Sequence, residues 1–167
     1  EWIDRIRRRH LDGLRKVVAV VPGGKRRQDS VRAGLQALST PLVLVHDAAR
    51  PLIRGEAAKA VAQAAARHGG AVLASRAVDT VKLVDGRGGV VSTPDRSRVW
   101  LAETPQGFRR SFLLGAYRKA GRRDATDDAQ LVERAGGRVV VVASLHPNFK
   151  VTTPKDLERT VNLLDSR

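Results

Sequence analysis

The stretch Leu42-Val43-Leu44-Val45-His46-Asp47-Ala48-Ala49-Arg50-Pro51 decides how the rest of this chain is read. An apolar run, Leu42 to Val45, ends abruptly at a carboxylate, and two alanines, an arginine and a proline follow. In an open α/β sheet, ligands bind just beyond the carboxyl ends of the strands. A strand that delivers Asp47 there, with alanines admitting a ligand and Arg50 one step further, suits a hard cation and a phosphate. The plainer alternative is an aspartate capping the strand-to-loop turn, with Arg50 as its surface partner. The stretch alone leaves both open.

Outward from it, strands and helices alternate. Glu1 to Arg15 sets Trp2, Ile3, Ile6, Leu11 and Leu14 near helical spacing and predicts a helix. Lys16 to Val21 is a β-branched run closed by Pro22-Gly23-Gly24, which predicts a buried strand and a turn. Asp29 or Ser30 is placed to cap the next helix, whose apolar stripe is Val31, Leu35 and Leu38. Pro41 to Val45 reads as the second strand. Glu56 to His68 reads as an alanine-rich helix ended by Gly69-Gly70, and Ala71 to Ser75 as a third buried strand.

The rhythm then changes. Thr80 to Val84 and Val90 to Thr93 flank Asp85-Gly86-Arg87-Gly88-Gly89 and predict a hairpin, followed by a short strand over Trp100 to Thr104. Arg110 to Lys119 and Asp127 to Arg134 read as helices, Arg138 to Val142 as a fourth core strand. Pro154 to Leu164 reads as a terminal helix with proline in its first turn. The expectation is a single α/β domain over 1–167, Rossmann-like. It has a mostly parallel sheet, helices on both faces and an inserted β-arm at about 79–100.

Composition narrows the function. With 167 residues and 42% hydrophobic content, the chain buries one core. It has no cysteine, hence no disulfide, thiolate metal site or cysteine nucleophile, which fits the cytoplasm. No apolar run approaches the roughly 20 residues that span a bilayer, so no membrane role is expected. The net charge of +14, from 31 Lys and Arg against 17 Asp and Glu, attracts polyanions. Only 4% of residues are aromatic, too few for a stacking platform, and the charge reads as a field for phosphorylated ligands rather than for nucleic acid.

Three further constellations bear on chemistry. Pro22-Gly23-Gly24-Lys25-Arg26-Arg27-Gln28-Asp29-Ser30 leads a glycine turn into a helix start, whose free N–H groups suit an anion or a base edge. By itself the stretch is better explained as an ordinary capped strand–turn–helix. Thr126-Asp127-Asp128 reads as an N-cap with acidic first-turn residues. Lys150, in the loop before Pro154, is within reach of a phosphate or simply solvated.

Taken in order, these stretches resemble the 2-C-methyl-D-erythritol 4-phosphate cytidylyltransferase family. The matching segments are Arg27 to Leu35, Val45 to Leu52, Asp79-Thr80-Val81-Lys82, Trp100 to Phe108 with Thr104-Pro105-Gln106, Ala125 to Glu133, and Asn148 to Leu157. The resemblance implies transfer of a cytidylyl group from CTP to a sugar-alcohol phosphate, with Mg²⁺, in isoprenoid biosynthesis by the non-mevalonate route. It implies that Asp47 associates with the metal and that Ala48 lies against the ribose. Gly24 and Ser30 would recognise cytosine, and Arg50 and Lys150 would surround the acceptor phosphate. Thr126 matches a substrate-binding position. Thr80, Arg96 and Thr104 match β-arm positions that reach into the partner's site, so a homodimer is implied and Arg96 joins the catalytic set. His46 reads as structural, because the attacking phosphate is ionised near neutral pH and needs no base.

The family pattern also opens with a strand and a glycine-rich loop carrying an arginine, followed by a lysine, which hold the CTP triphosphate. Glu1 falls after that segment, so the 167 residues read as an N-terminally truncated domain. Three other readings remain: a ribitol-phosphate-type cytidylyltransferase, an inactive fragment, and a basic nucleic-acid-binding module.

Overall fold

A computed structural model of the chain describes residue 11 and residues 14–121 and 123–165. The helix expected over Glu1 to Arg15 lies almost wholly outside the described residues, as does the arginine run within it.

Around the deciding stretch, helix α1 (Arg27–Gln36) precedes strand β1 (Leu42–Val45), and α2 (Gly55–His68) leads into β2 (Gly70–Arg76). A small hairpin follows, β3 (Leu83–Val84) with β4 (Val90–Ser92). Then come β5 (Trp100–Arg109), α3 (Arg110–Ala120), α4 (Asp128–Arg134), β6 (Val139–Ala143) and α5 (Pro154–Asp165). The central sheet has the order β1-β5-β2-β6. Strands β2 and β6 pair in parallel, while β5 pairs antiparallel with both β1 and β2. Thus β1, β2 and β6 share one direction and β5 runs against them: a mixed α/β sheet between helices.

Alternation along the strands sends side chains to two cores. On one face Leu42, Ala71, Leu73, Val140 and Val142 meet Val61 and Ala65 of α2. On the other, Val43, Phe108 and Val139 meet Leu35 of α1, Leu113 and Tyr117 of α3, and Leu131 and Val132 of α4. The predicted stripe of α1 is among them, with Val31 and Leu38 packed beside Leu35.

Four local expectations are corrected. Lys16 to Val21 is not a buried strand; it is irregular, with Val17 40% and Val18 79% exposed. β-branched residues favour a pleated surface, but they form a strand only where a neighbour supplies ladder bonds, and this run makes none. It borders a groove against α1 and β1 instead. Helix α1 begins at Arg27, ahead of the expected caps. Asp29 is its third residue, and it accepts from Arg26 N at 3.3 Å and from Arg26 Nη2 at 2.7 Å. Finally, β5 does not stop at Thr104 but runs to Arg109. Its register against β2 shifts between Val72 and Ala74, so the extra residues at Glu103 to Pro105 bulge out and the ladder resumes at Gln106. β6 sits at the sheet edge and is only partly buried, so it is less of a core strand than its composition suggests.

At the centre of the sheet, Gly107 is a forced choice. A Cβ there would lie 2.9 Å from both Leu44 Cδ2 and Val61 Cγ1 and 3.1 Å from Ala65 Cβ. Gly107→Ala should therefore reduce the unfolding free energy by about 1–3 kcal/mol through overpacking. Urea denaturation measures it, and an unchanged midpoint would mean that α2 does not close on the sheet at this point.

Candidate functional site

The loop leaving β1 carries Asp47, and its position is set by the bulge of β5. Thr104 is buried, and its Oγ1 accepts from Asp47 N at 3.0 Å. The same hydroxyl lies 3.0 Å from His46 Nδ1, and His46 Nε2 lies 3.1 Å from the Arg50 carbonyl oxygen. A carbonyl only accepts, so the hydrogen belongs on Nε2, and Nδ1 receives the Thr104 hydroxyl proton. His46 is thus a brace inside the loop, in line with its structural reading.

Asp47 faces cations. Lys150 Nζ is 3.1 Å from its Oδ2 and Arg27 Nε is 3.7 Å from its Oδ1. Partial burial pushes its carboxyl pKa up, but the Lys150 hydrogen bond and the charges of Lys150, Arg27 and Arg50 outweigh burial, leaving the group below the usual carboxylate range. Arg50 is anchored through Nη1, which donates to the Asn148 carbonyl oxygen at 2.7 Å. Asn148 Nδ2 donates in turn to Glu103 Oε2 at 2.9 Å and to the Thr104 carbonyl oxygen at 2.8 Å.

Lys150 arrives on a loop held by a capping box. Asp156 Oδ2 accepts from the backbone and hydroxyl groups of both Thr152 and Thr153, at 2.9–3.0 Å, while Asp156 N donates to Thr153 Oγ1 at 3.2 Å. These bonds fix the start of α5 and the approach of Lys150 to Asp47. A second path crosses the sheet. Gln106 Nε2 donates to Asp127 Oδ2 at 2.8 Å, and its Oε1 accepts from Ala129 N at 3.0 Å. Asp127 Oδ1 caps α4 by accepting from Gln130 N at 2.8 Å, so Asp127, expected in the first turn, is the N-cap and Asp128 the acidic first-turn residue.

Asp47, Arg50, Thr104, Thr126 and Lys150 all line one cavity of about 300 Å³, with Arg27, Glu103, Gln106 and Asp127 beside them. Sequence reasoning missed Arg27 and the carboxylate behind it. Asp128 is fully buried, accepts from Tyr117 Oη, and pairs with Arg27 Nη1 at 2.7 Å. Burial first, and then the charge of Asp128, hold the Tyr117 phenol well above its ordinary pKa. The available signal was Arg27 itself, standing just past the glycine turn with a paired acidic start to a later helix.

Of the other expected residues, Gly24 and Ser30 meet each other: Gly24 N donates to Ser30 Oγ at 3.0 Å. No side chain fits at Gly24, since a Cβ would fall 2.3 Å from that of Asp29. Ala48 is exposed beside Asp47. Thr104, expected with Thr80 and Arg96 to reach into a partner's site, is instead buried against Asp47 in its own subunit's cavity, because β5 runs on past it into the central sheet. Thr80 and Arg96 are exposed and do not line the cavity, and Arg96 Nη1 donates to the Val78 carbonyl oxygen at 2.7 Å. Among the described residues no three His, Asp or Glu side chains gather as a metal cage, and no helix is long and apolar enough to cross a membrane.

Comparison with known proteins finds relatives of the whole described chain. The sequence model of the family described as "IspD: 2-C-methyl-D-erythritol 4-phosphate cytidylyltransferase" matches residues 3–166. A relative of that name in Pelotomaculum thermopropionicum is 50% identical over 149 residues, covering 87% of this chain and 63% of its own length. A "Bifunctional enzyme IspD/IspF" of Anaeromyxobacter dehalogenans is 49% identical, over 93% of this chain and 42% of its own. The chain thus spans less than two thirds of these relatives. The crystal structure of 2-C-methyl-D-erythritol 4-phosphate cytidylyltransferase from Thermus thermophilus superposes with a TM-score of 0.77 at 40% identity, covering 86% of this chain and 71% of that one.

The capping box of α5 has a pH signature. Donors from Thr152 N and then Thr153 Oγ1, Thr153 N and Thr152 Oγ1 lower the Asp156 pKa to about 2. Because the folded value lies below the unfolded one, its contribution is complete above about pH 4 and is lost as the pH falls through about 2. A carboxyl-carbon NMR titration should find a midpoint near 2. A midpoint near 4 would mean that the four donors do not engage Asp156 in solution.

Proposed function

The chain belongs to the 2-C-methyl-D-erythritol 4-phosphate cytidylyltransferase family, and on that premise we propose that the protein transfers a cytidylyl group from CTP to the phosphate of 2-C-methyl-D-erythritol 4-phosphate, releasing pyrophosphate in isoprenoid biosynthesis. One observation carries the reading: Asp47 stands between Lys150 and Arg27 in a cavity that Arg50 also lines. In the reaction, an oxygen of the acceptor phosphate attacks the α-phosphorus of CTP. A new P–O bond forms while the bond to pyrophosphate breaks, and pyrophosphate leaves with the electron pair. The attacking oxygen is ionised at neutral pH and needs no base. The work falls to positioning and charge.

Arg50 and Lys150 hold the acceptor phosphate, Arg50 from its fixed seat on the Asn148 carbonyl and Lys150 by turning from Asp47 to the phosphate. Thr104 and Thr126 line the acceptor end of the same cavity. Gly24 and Ser30, at the start of α1, read the cytosine, and Ala48 packs against the ribose. Asp47 suits Mg²⁺, which takes one or two carboxylates and completes its shell with substrate oxygens and water. Bound there, Mg²⁺ draws charge from the triphosphate oxygens.

The subunits pair through the arm about Thr80 to Trp100. Val78, Leu83, Val84, Val90 and Val91 are each more than half exposed, an apolar surface that a second copy covers. Thr80 and Arg96, remote from their own cavity, then serve the partner's. Phosphorylated substrates and a chain without cysteine fit a cytoplasmic enzyme. Nucleic acid and membrane have no part in it.

Coupled pyrophosphate release tests the reading. In a longer chain that also carries the glycine-rich loop, turnover is expected with 2-C-methyl-D-erythritol 4-phosphate and little with ribitol 5-phosphate; the reverse preference assigns the protein to the other acceptor. Asp47→Asn should lower kcat by about 10²–10³, the scale for losing one preorganised transition-state interaction. Circular dichroism should be unchanged. An unaltered rate and Mg²⁺ dependence would remove Asp47 from the metal.

Sharing of sites between subunits has its own test. Arg96→Ala and Asp47→Asn homodimers should each be poor enzymes. Mixed, they should regain up to about a quarter of the parent activity, since half the dimers are mixed and one of their two sites is intact. Verified heterodimers with no recovery would return Arg96 to its own subunit.

A further inference from the structure

Arg27 stands in the charged cavity with no part in the chemistry assigned above. It is the first residue of α1, and its guanidinium is fixed from behind. Nη1 meets Asp128 Oδ2 at 2.7 Å, and Asp128, fully buried, also accepts from Tyr117 Oη. Burial and then the Asp128 charge hold the Tyr117 phenol well above its ordinary pKa, so it stays protonated and remains a donor. A buried carboxylate with two such partners cannot turn from Arg27 without leaving its own charge unpaired.

What Asp128 leaves over faces Asp47. Arg27 Nε lies 3.7 Å from Asp47 Oδ1, and Lys150 Nζ lies 3.1 Å from the other oxygen of the same carboxylate. Arg27 Nη2 has no hydrogen bond among the described residues, and the side chain is 38% exposed, open to a ligand. A carboxylate and one edge of a phosphate present two oxygens at similar spacing, so cations that flank the one are set to flank the other. The two other carboxylates of the cavity do not compete for Arg27: Glu103 is held by Asn148, and Asp127 by Gln106 and Gln130 N.

On the phosphate reading of this cavity, on which the inference rests, we propose that Arg27 is a third ligand of the phosphate that Arg50 and Lys150 hold. Asp128 and Tyr117 are its positioning residues. A guanidinium held in this way brings a planar set of donors already oriented, where Lys150 brings a charge that must first change partner.

Inorganic phosphate titrated into the ¹⁵N-labelled chain tests both parts. The Arg27 Nε–H signal should shift and saturate together with backbone signals of residues 47–50 and 150. Arg27→Lys, which keeps the charge and loses the fork, should raise the phosphate Kd at least about threefold, and Arg27→Gln about fivefold to tenfold. Arg87→Gln, which removes the same charge at the exposed hairpin tip, should leave it unchanged. Tyr117→Phe should raise the Kd about twofold to threefold in the parent chain and add nothing on top of Arg27→Gln, because a residue that acts through Arg27 then has nothing to position. Where Arg27→Gln does not fold, Arg27→Lys and the Nε–H signal decide. Phosphate binding with a still Nε–H signal, or with an unchanged Kd in folded Arg27→Lys, would overturn the role of Arg27 alone. No saturable shift at residues 47–50 and 150 would overturn it together with the phosphate reading. A Tyr117→Phe effect that adds in full to that of Arg27→Gln would make Tyr117 a structural residue only.

Discussion

Three loops of the charged cavity hang on one short stretch of β5. Thr104 accepts from the backbone of Asp47 and, through its carbonyl, from Asn148; Gln106 bonds Asp127 and Ala129. Both side chains are buried, and the strand that bears them is hydrogen-bonded along both edges. Loops are mobile by default because their backbone groups have no ladder to join. Here a pair of short polar side chains ties the loops to the most constrained strand in the sheet. The bulge at Glu103 to Pro105 makes this possible, since it turns these residues out of strict pleat where they can meet loops from both sides.

Electrostatics builds on that frame. The cavity holds Arg27, Arg50 and Lys150 with Asp47, Glu103 and Asp127, so its formal charges balance. They are not equivalent. Asp127 is spent on a helix start and on Gln106, and Glu103 on Asn148. Asp47 alone has a carboxylate turned to cations that are more than a third exposed, so its pairs can rearrange when an anion arrives. Arg27 differs from Lys150 in being pinned from behind by Asp128, which is held by Tyr117. A pinned guanidinium loses little freedom on binding, whereas a lysine on a loop can change partner. The cavity combines two fixed cations, Arg27 and Arg50, with one movable one, Lys150, about the Asp47 carboxylate.

Most of this was legible because it depends on local pattern. The apolar run into Asp47, the alanine-rich helix before Gly69, the glycine hairpin and the proline in the first turn of α5 are each decided within a few residues. What the pattern could not reveal depended on partners distant in the chain. Lys16 to Val21 has strand composition but no ladder, so composition alone misleads. Pro105 argued for ending β5, yet the partner strand accommodates it with a register shift that only β2 discloses. Arg27 and Asp128 are 101 residues apart. Each looked like an ordinary helix-start residue until the fold brought them together.

The same frame explains why Asp47 depends more on β5 than on its own strand. Among the described residues, β1 is four residues long and pairs on one side only, with β5. A strand held along one edge frays at its ends, and Asp47 lies two positions past the last rung at Val45. Without Thr104 the loop would keep the His46–Arg50 brace, which is internal to it, and its later part would stay tied to the loop before α5 by Arg50 Nη1 on the Asn148 carbonyl and by Val151 N on the Ala49 carbonyl. The contacts that refer Asp47 to the rest of the molecule are therefore its backbone bond to Thr104 and its ion pairs with Lys150 and Arg27. The ion pairs are exposed and exchangeable, the backbone bond is not. Placement in this site comes from a neutral hydrogen bond at a buried hydroxyl, which leaves the charges free to answer to a ligand.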